Sequence, residues 1–458
     1  MRLVVAAGTT GKFAAAFPLG YAESMDCSVP QDSRSVSIRT APLPCRLFAA
    51  ALTFAAAPAM LHAADDTQQA ADTAAADVII ADDKSDAASD EAKNAEPSAG
   101  QPTYGAPVTR RMRIGARVEA KGGEVQNIYI MVAAPLSCPE QRVEIIEEEY
   151  PTDLGTVDFR TLPDDKRSKP GANQMLISIP QLPARQTANA VVTYEIQTDH
   201  VYAPTETAGL RIPPKTPSDL KLFVKSSPFI EVNDREIRDA VAEALEKRVT
   251  LGDKLAADSN AIRSANLSVA PAASVAADAV DDKDAKKKAA KEKPKPKTKE
   301  ELAELEAKID ELTDWQKVEA LYDFVRTKVK YLDGAEDMPA TKALEDGEAD
   351  CYGLSALFVA MARTMKVPAR MVWVDNHQYA EFYLEDEEGK GYWYPAQLAG
   401  TRAFGEMPLP MVIFQKGDNF RVPERRRERL RYATDYTTLK ASGKHKPRVV
   451  YVREPLTN

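Results

Sequence analysis

Two stretches of this 458-residue chain cannot hold a core, and they decide where anything can fold. Residues 65–101 are mostly Ala, Asp, Ser and Thr. Ten acidic residues against Lys84 and Lys93 leave a charge of −8 there, almost the whole of the chain's formal −9. Residues 251–300 pass from Ala, Ser and Asp into nine lysines between Lys283 and Lys299, interrupted by Pro294 and Pro296. Neither stretch has enough large apolar side chains to offset the conformational entropy of ordering it. Both are expected to be disordered, an acidic segment over 65–103 and a linker over 251–300. No aromatic is interleaved with the lysines to stack on bases, and the whole chain is mildly acidic, so nucleic acid is not expected as a partner.

Before the acidic segment lies the most apolar run, Arg46 to Ala64, about 17 Ala-rich residues with Arg39 and Arg46 ahead of it and small residues before Asp65. It reads as a signal peptide cut near Ala63, within a leader over 1–64, and so predicts export to the periplasm or beyond the cell. A membrane anchor is the competing reading, but a span needs roughly 20 strongly apolar residues. Cys45 precedes the run and is not placed as a lipoprotein cysteine. Met25 is an alternative start. No second apolar segment follows, so no stable span is expected after cleavage.

Between the two polar stretches the pattern has period two. Met112, Ile114, Ala116 and Val118 alternate with Arg113, Arg117 and Glu119, and five further short runs follow between turn signals. That predicts an antiparallel β-sandwich-like domain over 104–250, closing with a helix from about Asp234 to Lys247 capped by Asn233 with Glu236. It shows no catalytic constellation and reads as a support or recognition module. From Leu302 onward, helical spacing (Leu302, Leu305, Ile309, Leu312, then Val318, Leu321, Tyr322, Val325) opens an α+β domain expected to run over 301–458.

Chemistry concentrates in that last domain. The turn-forming EDGEAD leads into a helix with Leu354, Leu357, Phe358, Met361 and Met365 on its apolar face, and Cys351 opens it. Free backbone N–H groups and the helix dipole favour a thiolate there, and one such amide suits a developing oxyanion. A small buried hydrophobe is the bland alternative. A cysteine nucleophile needs a base. Asn376 to Leu384 alternates as a strand with His377, Tyr379, Glu381 and Tyr383 on one face, followed by a polar turn and the run Tyr392 to Gln397. A hairpin whose paired numbers sum to about 775 sets His377 opposite Gln397, with Cβ atoms about 5 Å apart. Glu381 is the rival partner for the imidazole, but it lies roughly 13 Å along the strand.

Residues 341–398 resemble the transglutaminase-like superfamily, whose catalytic core is papain-like. The family's cysteine block is similar to residues 347–363 with the Pro368-Ala369-Arg370 ending. Its His, aromatic and Glu block is similar to His377-QYAE-Glu381, and its Trp-x-Pro-x-Asp block to Trp393-YPAQ-Gln397, with Gln at the usual Asp. The resemblance implies Cys351 as nucleophile, His377 as base and acid, and Gln397 as orienter. It also implies thiol-dependent acyl transfer or hydrolysis at carboxamide or amide bonds of a protein or peptide substrate. Gln orients imidazole but stabilises imidazolium less than a carboxylate. Slower chemistry is therefore expected, and an inactive module that binds peptides or cell-envelope components stays open. The layout, with a β domain first and a QKGDNFRVPE tail at residues 415–424, is similar to exported transglutaminase-like proteins of planctomycete-type bacteria.

Four cysteines and four histidines, without HExxH or paired CxxC spacing, give no support for zinc, and no D-x-D-x-D-G loop suggests calcium. No cofactor or metal is expected. Cys138 and Cys351 fall in different expected domains and should not be bridged. Trp373 is expected in the core near the site, Tyr331 at most as a weak oxyanion aid. The arginines from Arg421 to Arg431 are expected on a solvated helix face.

Overall fold

A computed structural model describes residues 100–150, 153–163, 171–266, 297–433, 435–442 and 446–456. The leader with its cleavage near Ala63, most of the acidic segment and residues 267–296 of the linker lie outside the described residues.

The sandwich half uses β1 (Thr103–Glu119), β2 (Val125–Ala134), β3 (Gln141–Glu149), β4 (Thr156–Leu162), β5 (Ala172–Leu182) and β6 (Thr187–Tyr202). The alternating residues of β1 behave as their pattern requires: Met112, Ile114, Ala116 and Val118 are buried, while the arginines between them reach outward. They share one core with the inward rows of β2, β5 and β6. Helix α1 (Arg235–Asn266) then leaves the sandwich.

After the undescribed linker come α2 (Lys299–Asp310), α3 (Asp314–Lys328), β7 (Lys330–Tyr331), α4 (Ala340–Asp346), β8 (Glu348–Ala349) and α5 (Cys351–Thr364). The chain then forms β9 (Ala369–Val374), β10 (His377–Glu385), β11 (Gly391–Gln397), β12 (Ala403–Phe404), β13 (Ile413–Lys416), β14 (Tyr436–Ala441) and β15 (Arg448–Leu456). The result is α+β, as the sequence indicates. Thr298 with Glu301 and Thr313 with Gln316 each complete a capping box at α2 and α3.

Sheet topology corrects the expected domain limits. One sheet has the order β15-β1-β6-β3. The other runs β12-β11-β10-β9-β13-β5-β2-β14, with β4 also on β5. Strand β13 lies between β9 and β5, and β14 and β15 pair with β2 and β1. Strands β14 and β15, assigned by sequence to the domain from 301, therefore complete the sandwich, and one sheet passes from one half into the other. Pairing partners more than 300 positions apart leave no mark on local periodicity.

Three local expectations also change. Helix α1 is capped by Asp234, whose carboxylate accepts from the Glu236 N–H at 2.8 Å, while Asn233 stands at φ +62 just outside. The helix runs on to Asn266, into the stretch read as linker from 251. Around Arg425 there is only a short 3-10 turn, Pro423–Arg425, so the arginine run is not a helix face.

Helix α5 is the centre of the second half. Every side chain from Tyr352 to Arg363 is buried, because the sheet covers one flank and the preceding helices the other. That explains why its sequence is apolar nearly all round. Arg363 is admitted by full pairing: its guanidinium donates to the Ala369 and Lys225 carbonyls, to Ser227 Oγ and to Asp418 Oδ2 at 2.7 Å.

Candidate active site

Cys351 is the first residue of α5. Asp350 caps the helix, its carboxylate accepting from the Gly353 N–H at 2.8 Å. Gly347, at φ +70, ends α4 in the left-handed region, and the short parallel pairing of β7 with β8 fixes the approach. Gly353 sits where a Cβ would meet Ala349 Cβ at 2.7 Å, so the first turn can press this close to β8 only with glycine there.

The thiol is half-buried. Burial pushes it above the ordinary cysteine range and the Asp350 charge adds to the rise, while backbone N–H groups of Gln378, Tyr352 and Cys351 itself pull the other way. Sγ donates to Oε1 of Gln378 at 2.9 Å. Gln378 is the site residue that sequence reading missed. In β10 the row Ala380, Phe382, Leu384 packs in the core around α5, and Gln378 extends that row by one step to the start of the helix. The apolar row was visible in the sequence, and following it back two residues would have found Gln378.

His377 opens β10 directly after Asn376, whose φ of +54 turns the chain. Burial lowers the imidazole below its ordinary value, with Gln397 acting in the opposite sense. The two side chains are neighbours but not hydrogen-bonded: His377 Nε2 and Gln397 Oε1 are both buried without a partner. No hydrogen bond joins Cys351 to His377 among the described residues. The hairpin sum is 776, one step from expectation, since Ala380 pairs with Ala396 and Glu381 with Pro395. Extended by that register, Gln397 comes opposite Tyr379, diagonal to His377. The Gln397 backbone is pinned from α3: Tyr322 Oη donates to its carbonyl at 2.8 Å, and Arg326 holds the Leu398 carbonyl at 2.7 Å.

Glu381, the rival orienter, is engaged elsewhere. Its carboxylate accepts from Arg370 and Lys416, each at 2.7 Å, and Lys416 also pairs with Glu140. Tyr331 lies close enough to feel the Cys351 charge, but its hydroxyl donates to Asp333. Trp373 is core, ringed by Tyr352 and Tyr432, its Nε1 donating to the Gly417 carbonyl. Cys138 and Cys351 are both free thiols. No group of three or more His, Cys, Asp or Glu side chains able to hold a metal occurs among the described residues.

A thiol at the N-terminus of a buried helix, laid against an antiparallel sheet that carries a histidine, defines the cysteine-bearing α+β class. Residues 303–398 match the transglutaminase-like superfamily. Among solved structures, "a Putative Cysteine Protease from Cytophaga hutchinsonii" is 10% identical, covering 77% of this chain and 93% of its own at a TM-score of 0.38, a likeness too distant to bear on chemistry. No curated protein matches the chain. These matches lend no support to a planctomycete-type origin.

Proposed function

We propose that this protein is a thiol-dependent acyltransferase or hydrolase acting on carboxamide or amide bonds of proteins or peptides. The observation that carries the proposal is the placement of Cys351 as the first residue of helix α5, beside the strand that His377 opens, inside the transglutaminase-like segment. The free N–H groups of a helix's first turn suit a thiolate and, once Sγ has added to a carbonyl, the oxyanion beside it. Burial raises the thiol and lowers the imidazole, so the resting pair is neutral rather than an ion pair. Attack is accordingly coupled to proton transfer. Sγ bonds to the carbonyl carbon as its proton passes to His377, and the imidazolium then protonates the leaving amine or ammonia as the C–N bond breaks. Water or a second amine, deprotonated by His377, releases the acyl group. In this reading Gln397, its backbone pinned by Tyr322, orients the ring by closing a hydrogen bond from the imidazole to its Oε1, both of which are buried and unpartnered in the free protein.

The test traps the acyl-enzyme. With benzyloxycarbonyl-Gln-Gly and hydroxylamine, the protein should form hydroxamate. Cys351→Ala should abolish it, and His377→Ala should slow it by roughly a hundredfold or more. Hydroxamate formation that survives Cys351→Ala would overturn the assignment.

The second reading, a catalytically silent module that binds peptides or cell-envelope components, is favoured by one observation: the thiol donates to the protein's own Gln378 carboxamide. Export through a signal peptide cut near Ala63 rests on the sequence of residues 46–65. No helix among the described residues is long and apolar enough to cross a membrane.

A further inference from the structure

The QKGDNF segment takes no part in the chemistry above, yet residues 416–421 run along the wall of a cavity of about 290 Å³. The cavity lies on the face of the sheet turned away from α5. Tyr383 and Trp393, paired across β10 and β11, line it, whereas their neighbours Phe382 and Tyr394 pack toward the helix. Its aromatic wall is Phe223, Trp393 and Tyr383, the outer two edge-on to the indole at 5.4 Å, with the Arg370 guanidinium stacked 3.9 Å above it. Two glycines keep the space open. A Cβ on Gly391 would strike the Tyr383 ring, and one on Gly417, at φ +133, would press on Phe420.

At the rim sits an unbalanced pair. Phe420 and Leu430 exchange both backbone hydrogen bonds, at 2.7 and 2.9 Å, and Arg421 and Arg429, which flank this isolated antiparallel bridge, both line the cavity. Like charges gathered at one rim repel. Arg429 reaches only Asn419, at 3.4 Å, and Arg421 has no partner among the described residues. The deeper cations do not share this excess: Arg370 and Lys416 are neutralised by Glu381 and Glu140. Two rim arginines with no acidic partner among the described residues, beside an aromatic slot, match a ligand with a planar apolar ring and a carboxylate.

We propose that this cavity is a binding site, separate from Cys351, for a small aromatic carboxylate. A free aromatic amino acid derivative and the C-terminal aromatic residue of a peptide are two sources of that chemistry. Calorimetric titration of the full chain with N-acetylphenylalanine should show saturable binding. N-acetylphenylalaninamide, which lacks the charge, should bind at least about tenfold more weakly, and the Arg421→Ala/Arg429→Ala double variant should lose the acid by a similar factor. A Gly-Gly-Phe peptide binding more tightly than the free acid assigns the site to chain termini, and the reverse order assigns it to the small molecule. The alkylation rate of Cys351 should be the same in the double variant, which keeps this test independent of the catalytic reading. Equal affinity for acid and amide, undiminished binding in the double variant, or no binding at tens of millimolar would overturn the proposal.

Discussion

On the face of β9–β11 turned toward α5, Ala380, Phe382 and Leu384 are fully buried, and Phe382 lies within 5.4 Å, ring to ring, of Trp315, Tyr394 and Phe404. On the other face of the same strands, Arg370, Glu381 and Lys416 form a buried ion-pair chain that ends on Glu140 in the sandwich half. One face is held by non-directional apolar burial, which tolerates repacking. The other is held by charges whose desolvation is offset only while every partner stays in place. The difference shows which face carries positional information: the charged face fixes β13 and the Glu140 loop against β9 and β10, and so fixes the two halves to each other.

Substitutions can break this contrast. The largest effect is expected from Phe382→Ala, which empties the centre of the aromatic cluster and should cost about 3–5 kcal/mol in urea denaturation. Lys416→Met should cost about 3 kcal/mol, because Glu140 loses its partner in a buried site. The two should also differ in pH response. Burial alone would raise the Glu381 carboxyl, but Arg370 and Lys416 prevail and hold it below the ordinary range. Its contribution is thus present above the unfolded carboxylate value and lost as pH falls through the lower folded one. Lys416→Met should flatten that acid limb, and Phe382→Ala should leave its shape intact.

Smaller effects probe the helix start. Asp350→Ala should cost about 1 kcal/mol through the lost cap, while Asp350→Asn keeps the cap. Asn also removes a charge that raises the Cys351 thiol, so iodoacetamide at neutral pH should alkylate it several-fold faster, at about the same stability. Unchanged alkylation would mean that burial alone governs the thiol. The smallest effect concerns His377. Its folded value lies below the unfolded one of about 6.5, so stability should decline as pH falls from there toward the folded value, and His377→Gln should remove that slope.

Much of this was legible in the chain because it is local. Period-two alternation gave β1, helical spacing gave α2 and α3, and the polar turn before Cys351 gave the start of α5. Hairpin counting set Gln397 opposite His377, two residues away from the Tyr379 that the register places there. What escaped depends on partners distant in sequence. Nothing near Glu381 announces that Lys416 and Arg370 will occupy it, and nothing in residues 436–456 announces β2 and β1. Gln378 was missed for a different reason: alternation was followed along the His377 face, while the thiol approached from the other.

The placement of β15 has a practical consequence for how the protein is made and handled. Strand β1 has β6 on one flank and only β15, the last nine described residues, on the other. During synthesis that flank stays open until Leu456 has emerged. A version cut at residue 300 to isolate the cysteine-bearing half would leave β14 and β15 without their ladders and β13 without β5. Removing Arg448–Leu456 instead should uncover a row of unpaired β1 amides and carbonyls, and such a truncation should sediment as aggregates where the complete chain does not.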